Sequence, residues 1–117
     1  MAASIDSELL RGSLDLMVLS VLADGPKYGY LIQQQLRDTS GSRVDLQAGT
    51  LYPLLHRLEA DKYVRTRWET ETGRRRKWYE LTAAGRRRLQ DQTRAWQEYV
   101  ECLRAFLGTS ALAPRTA

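Results

Sequence analysis

The chain has little with which to do covalent or metal chemistry. Its only cysteine is Cys102 and its only histidine is His56. One cysteine excludes an internal disulfide framework. A single thiol and a single imidazole, on different expected helices, offer neither a nucleophile–base pair nor a cluster of metal ligands. No glycine-rich phosphate cradle occurs either, so the expectation is no enzyme, no metal and no cofactor. No apolar run approaches the roughly 20 residues that a membrane span needs. The N-terminus, MAASIDSELL, lacks the basic start and continuous apolar stretch of a secretion signal, so a cytoplasmic protein without a membrane partner is expected.

What is present is an ordinary globular balance and an uneven charge. With 117 residues, 43% hydrophobic and 27% charged, the chain suits one domain with a modest core. The net charge is +4, yet between Lys62 and Arg88 ten Lys or Arg face only Glu69, Glu71 and Glu80, which makes that segment +7 and the remainder −3. An acidic-to-neutral body with one basic segment is the electrostatic footprint of a nucleic-acid binder, because Lys and Arg displace counterions condensed on phosphates. The plainer reading is a solvated basic face.

Periodicity supplies the elements. Leu14, Met17, Val18, Val21 and Leu22 fall at helical spacing, which predicts an amphipathic helix from about Glu8 to Asp24, stopped by Gly25-Pro26. Leu16 and Leu19 lie off that stripe and imply a second partner surface. A shorter helix is expected from about Lys27 to Asp38, with Tyr28, Leu31, Ile32 and Leu36 inward, ended by the TSGS loop. In QAGTLYPLLHRLEADKYV, Thr50 is the candidate cap of a third helix, Pro53 falls within its first turn, and Leu51, Leu54, Leu55 and Leu58 form its buried stripe. Alternation then places Val64, Thr66 and Trp68 on one face of a strand and Arg65, Arg67 and Glu69 on the other. Thr72-Gly73 is the turn, and a return strand from about Arg75 to Leu81 puts Tyr79 and Leu81 on one face, Trp78 and Glu80 on the other. Three helices and a hairpin make a winged helix-turn-helix.

Beyond Thr82 the pattern becomes a heptad seam of Leu89, Thr93, Trp96, Val100, Leu103 and Leu107. Two and a half heptads cannot stand alone, so the seam needs an apolar partner, and a twofold dimer that also uses Leu16 and Leu19 provides one. The fold class is therefore mainly α (α+β): a winged helix-turn-helix domain plus a long C-terminal dimerisation helix. Its expected divisions are an N-terminal tail (1–7), the DNA-binding domain (8–82), the dimerisation helix (83–107) and a disordered tail (108–117).

The pair GTLYPLLHRLEADKYV and GRRRKWYELTAAG, with LLRGSLDLMVLSVLADGPKYGYLI ahead of it, resembles the PadR family of bacterial transcriptional regulators from about Leu9 to Leu107. Two linked motifs at this separation are a specific match, and the single helix after the wing is similar to the shorter branch of the family. The resemblance implies a homodimeric repressor that binds a near-palindromic operator on double-stranded DNA and is released by a small molecule or another signal. The sequence departs from the family pattern only in the consecutive Arg74, Arg75 and Arg76 and in Trp78.

Residue by residue, the third helix presents Gly49, Thr50, Tyr52, Pro53, His56 and Arg57 outward, a polar face that fits a major groove. For Tyr52, core packing is the alternative; for His56, simple solvation. Arg74, Arg75, Arg76 and Lys77 follow the turn, where a wing lies on the backbone or in the minor groove, although alternation points two of the four inward. Arg86, Arg87 and Arg88 open the last helix, where cations oppose the helix dipole; they read equally as a solvated turn or a phosphate contact. Trp96 is either interface core or part of a pocket. The resemblance favours a pocket, since family members that bind flat aromatic drugs line an intersubunit cavity with aromatics from this helix. With Tyr99 beside it, the expected effector is a planar hydrophobic small molecule. Cys102 reads as a small buried hydrophobe. A winged helix used for protein contact or for non-specific nucleic-acid binding is the alternative function.

Overall fold

Helix α1 (Leu14–Val21) continues into one 3-10 turn over Leu22–Asp24. The computed structural model describes residues 5–6 and 10–108, so the expected start at Glu8 and most of the expected tail lie outside the described residues. Gly12 and Ser13 form a turn ahead of α1. At the other end Gly25, with φ +150° and ψ 171°, adopts a conformation open essentially to glycine alone. Lys27 then reaches back: its ammonium donates to the carbonyl of Val21 at 2.8 Å and pairs with Asp24. That satisfies a carbonyl the helix end leaves unpaired, and the same ammonium draws the Asp24 carboxyl below its ordinary pKa.

Lys27 does not open a helix, as its sequence position suggested. Lys27–Tyr28 form a two-residue strand, β1, paired antiparallel with the hairpin (Lys27↔Tyr79, Tyr28↔Trp78). Two residues are too few to leave an alternation signature, and the partner strand lies some fifty residues away. The second helix, α2 (Gly29–Thr39), therefore begins two residues late and buries Ile32 and Leu36. A built turn follows: the Ser40 hydroxyl donates to the Leu36 carbonyl (2.7 Å) and accepts from the amide of Val44 (2.8 Å), and Arg37 pairs with Asp45 at 3.0 Å.

The third helix, α3 (Ala48–Ala60), is capped by Gln47 and not by Thr50. The amides of Thr50 and Leu51 both donate to the Gln47 carbonyl, so Thr50 already lies inside the first turn and Pro53 in the second. The missing Pro53 amide leaves the carbonyl of exposed Gly49 without its intrahelical donor. Leu51, Leu54, Leu55 and Leu58 are buried, as the spacing predicts. The end of α3 is a Schellman motif: Lys62, at φ +65°, and Tyr63 donate their amides to the carbonyls of Glu59 and Leu58, both at 3.0 Å.

Strands β2 (Val64–Glu71) and β3 (Arg74–Leu81) pair from Val64↔Leu81 to Glu71↔Arg74, and the sheet order is β1-β3-β2. Thr72 (φ +49°) and Gly73 (φ +77°) are both left-handed, the geometry of a two-residue type I′ hairpin turn. The last helix, α4 (Ala83–Leu107), starts at Thr82, whose hydroxyl accepts from the Gly85 amide (3.0 Å) and donates to the Lys62 carbonyl (2.7 Å).

The core gathers the apolar faces of α1, α2, α3 and the sheet, with Leu89 of α4 packed on its rim. Leu19, expected at a subunit interface, is fully buried in it; Leu16 is half-buried. Leu19 stands three residues before Leu22, on the same side of the helix, and so joins the core with it. The fold class is thus α+β, a winged helix with one long helix appended.

Gly85 packs so closely that a Cβ there would lie 2.0 Å from the Tyr63 carbonyl oxygen, whereas one on Gly49 would meet nothing within 4 Å. Gly85→Ala should therefore destabilise by about 1–3 kcal/mol through overpacking, while Gly49→Ala should gain up to about 1 kcal/mol of helix propensity. Thermal unfolding of both variants decides it; equal Tm values for the two would refute the close approach.

Candidate nucleic-acid interface

All six outward residues of α3 named from periodicity are exposed, but they divide between two flanks. Tyr52 and His56, one turn apart, face a cleft of about 570 Å³ between α3 and the hairpin, closed by Tyr28, Trp68, Arg75 and Lys77. Thr50, Pro53 and Arg57 face a second cavity of about 470 Å³ toward Arg11, Leu14 and Asp15 at the start of α1.

Two of these residues are less free than the sequence suggested. Tyr52 is 39% exposed, yet its hydroxyl presses on the first residue of α2: a Cβ at Gly29 would lie 2.3 Å from it. Tyr52 is thus both a packing residue and a surface one. Arg57 forks onto Asp15, with its two terminal nitrogens 2.9 and 2.7 Å from the two carboxylate oxygens. Hydrogen bonding to that carboxylate raises the guanidinium pKa further, and the planar fork matches the carboxylate. It joins the recognition helix to α1.

By register, Arg75 and Lys77 fall on the same side of β3 as Tyr79 and Leu81, and Arg74 and Arg76 on the other. Burial does not follow that alternation: Arg74 and Arg75 are exposed, Arg76 and Lys77 half-buried, and Arg76 borders the same cleft as Arg75. Lys77 lies 3.7 Å from Glu59 of α3, whose other oxygen accepts from the Thr66 hydroxyl at 2.6 Å. One α3 carboxylate thereby holds both strands of the wing. Burial raises the Tyr79 phenol pKa, helped by nearby Tyr52 and Glu59. Arg75 stacks on Trp68 and Arg76 on Tyr28, each with its guanidinium carbon 4.5 Å from the ring centroid.

Arg86 donates to the Ala23 carbonyl at 3.3 Å, and Arg88 lies over the Tyr63 ring at 5.6 Å. These two cations therefore have uses within the fold. On α4 the half-buried Trp96 meets Tyr99 edge-on at 5.6 Å, and a Cβ on Gly12 would lie 3.7 Å from its ring. A cavity of about 480 Å³ lies between Trp96, Val100 and Arg104. Cys102 is exposed, not buried. Among the described residues no group of His, Cys, Asp and Glu could hold a metal, and no helix is long and apolar enough to cross a membrane.

Residues 18–91, from the core of α1 to the second turn of α4, match the transcriptional regulator PadR-like family. The chain belongs to that family. A transcriptional regulator of Mycobacterium tuberculosis is 40% identical over 91 residues, 78% of this chain and 82% of that one. Among solved structures, a transcriptional regulator from Clostridium thermocellum superposes with a TM-score of 0.81 at 29% identity, covering 88% of this chain and 98% of its own. A PadR-family transcriptional regulator from Eggerthella lenta gives 0.78 at 34% identity over 87% and 88%. PadR-like proteins are DNA-binding regulators of transcription and not enzymes, which agrees with the scarcity of catalytic groups here.

Reasoning from sequence missed Asp15, Glu59, Tyr28 and Trp68 as parts of this face. Only Trp68 had a signal, its place in the Val64–Thr66 alternation. For the Asp15–Arg57 fork, a double-mutant cycle with Asp15→Ala and Arg57→Ala, followed by urea unfolding, should give a coupling of about 0.5–1 kcal/mol, the range of a well-aligned, partly exposed pair. Strict additivity would mean the fork contributes nothing in solution.

Proposed function

We propose that this PadR-like chain acts as a homodimeric repressor that reads a near-palindromic operator and responds to a planar hydrophobic effector. The observation that carries the reading is the cleft of about 570 Å³ in which an exposed recognition-helix face, Tyr52 and His56, stands opposite a basic wing. A helix face of this kind enters a major groove while the wing meets phosphates of the adjacent backbone or minor groove. Within this reading residues 8–82 bind DNA through Gly49, Thr50, Tyr52, Pro53, His56 and Arg57 of α3 and the wing residues Arg74, Arg75, Arg76 and Lys77. Arg57 reaches a base only by exchanging its Asp15 partner, and Lys77 only by leaving Glu59, so Arg75 and Arg76 are the wing's main phosphate contacts.

Dimerisation is assigned to 83–107. The outer half of α4 exposes Tyr99, Val100, Leu107 and Phe106, the last 84% exposed, an apolar stretch that a second copy of the same helix would cover. Leu16 and Leu103, both half-buried, extend that surface. Leu103→Asp should then give monomers, because an unpaired carboxylate in an apolar interface costs several kcal/mol. Selection of bound duplexes from a random pool should enrich an inverted repeat with half-sites about one helical turn apart for the parent chain and nothing for the variant. A Leu103→Asp protein that sediments as a dimer relocates the interface; a parent chain that enriches no inverted repeat leaves non-specific binding or protein contact as the function.

The effector reading rests on Trp96, which lines the cavity on α4, and on Tyr99, which meets Trp96 edge-on. An effector acts only through different affinities for two dimer arrangements, so tight binding and induction are separate properties. With Trp68 and Trp78 replaced by Phe, a flat cationic dye should quench Trp96 fluorescence, and Trp96→Ala should weaken dye binding about two- to tenfold, the scale of a lost aromatic stack. Unchanged dye affinity together with lower dimer stability would make Trp96 interface core.

A further inference from the structure

Four consecutive cations follow the hairpin turn, and the structure treats them differently. Lys77 is drawn to Glu59 of α3, and its side chain is only 23% exposed. Arg75 and Arg76 have rings beneath them, Trp68 and Tyr28 respectively, each 4.5 Å away. The two rings come from different strands, β2 and β1, on either side of β3. Trp68 is 54% exposed, so hydrophobic burial does not account for an indole at that position. Tyr28 is half-buried and is itself fixed edge-on against Trp78, 5.2 Å between centroids. Successive residues of a strand start toward opposite faces, yet Arg75, Arg76 and the rings beneath them all border the one cleft beside Tyr52 and His56 of α3.

A free arginine carries about 2 kcal/mol of rotamer entropy, part of which is lost whenever it is fixed on a phosphate. A guanidinium already resting on a ring has lost much of that freedom before binding. Stacking also leaves its charge uncompensated and its N–H edges open at the rim of the ring, where phosphate oxygens can accept two parallel hydrogen bonds. A carboxylate partner would fix the side chain equally well but would cancel the charge.

We propose that Trp68 and Tyr28 are positioning residues for DNA binding, holding Arg75 and Arg76 over two rings at the border of the cleft beside α3 so that both guanidiniums meet phosphates of the DNA backbone. The proposal rests on the wing being a DNA contact. It separates Arg75 and Arg76 from Lys77 within the same basic run, and it gives the exposed Trp68 a role that packing does not.

The test uses the full chain and a fluorescently labelled random-sequence duplex of about 30 base pairs, long enough for two half-sites, with affinity followed by anisotropy across a salt series. Trp68→Ala should weaken binding about two- to fivefold, the range of an exposed cation–π contact, with the salt slope unchanged because no charge is lost. Trp68→Phe, which keeps a ring, should recover most of that loss. Arg75→Lys keeps the charge but cannot stack flat, and should match Trp68→Ala. Arg75→Ala should lower the salt slope by about one, and adding Trp68→Ala to it should cost nothing further. Tyr28→Leu, which keeps apolar packing on Trp78, should behave toward Arg76→Ala in the same way.

Independent, multiplying losses for Trp68→Ala and Arg75→Ala, or wild-type affinity for Arg75→Lys, overturn the proposal. A second readout needs no DNA. With Trp78 and Trp96 replaced by Phe, Arg75→Ala should shift the Trp68 emission of the free protein; an unmoved spectrum means no stack forms and sinks the positioning role while the DNA reading stands. A parent chain that binds no duplex at all removes both.

Discussion

The backbone of Lys62 and Tyr63 is the point at which the two halves of the molecule are joined. The Lys62 carbonyl takes the hydroxyl of Thr82 at 2.7 Å, and the Tyr63 carbonyl takes the Thr82 amide at 3.1 Å. Gly85 lies so near that same Tyr63 carbonyl that no side chain fits between them. Each contact needs Lys62 to stay left-handed, a conformation costing a non-glycine residue roughly 1 kcal/mol, and that turn ends α3 at the place where β2 must begin. From this one knot the recognition helix stops, the wing departs, the wing returns and α4 starts. The angle of the wing to α3 and the direction of α4 are therefore set together.

Two carboxylates then hold α3 from either side. Asp15 of α1 takes Arg57 on one flank, and Glu59 takes Thr66 and Lys77 on the other. Each is partly open to solvent, so neither contributes more than a modest increment to stability. Their effect is geometric. The proposed recognition surface is assembled from a helix and a separate hairpin, and fixing the distance between the two parts before DNA arrives spares the affinity the cost of ordering them on binding.

Much of this was legible in the sequence, and the failures have a common cause. The leucine stripe of α3, the alternation of Val64, Thr66 and Trp68 and the Thr-Gly turn are local patterns, and each appears in the structure as read. β1 was illegible because a two-residue strand is defined by its partner, Tyr79 and Trp78, and not by itself. Gln47 displaced Thr50 as the cap because the turn organised by Ser40 delivers the chain to α3 one turn sooner, and that turn depends on Val44 and Leu46 finding the core. Leu19 was read as spare surface although it stands three residues before Leu22, on the same face of the helix, so the core is wider than the stripe that was read. The forks and stacks of the DNA face link residues 7 to 48 positions apart, a separation at which periodicity carries no information.

The same contacts explain why a charge run that could have been a merely solvated face has a direction. The fold disposes of its cations in two ways. Arg57, Lys77 and Arg65 are set against Asp15, Glu59 and Glu80, the last pair at 2.6 Å, and each such pair presents little net charge to solution. Arg75 and Arg76 are set against rings, which hold the side chain without cancelling its charge. Screening limits any exposed charge to an effective range of about 8 Å at physiological salt, so what a phosphate meets at the hairpin is the local balance and not the +4 of the whole chain. Asp15, Glu59 and Glu80 lie where two elements are joined, and the uncompensated positive charge collects on the hairpin beside α3. An even spread of the same residues would leave the net charge unchanged but give DNA no preferred side from which to approach.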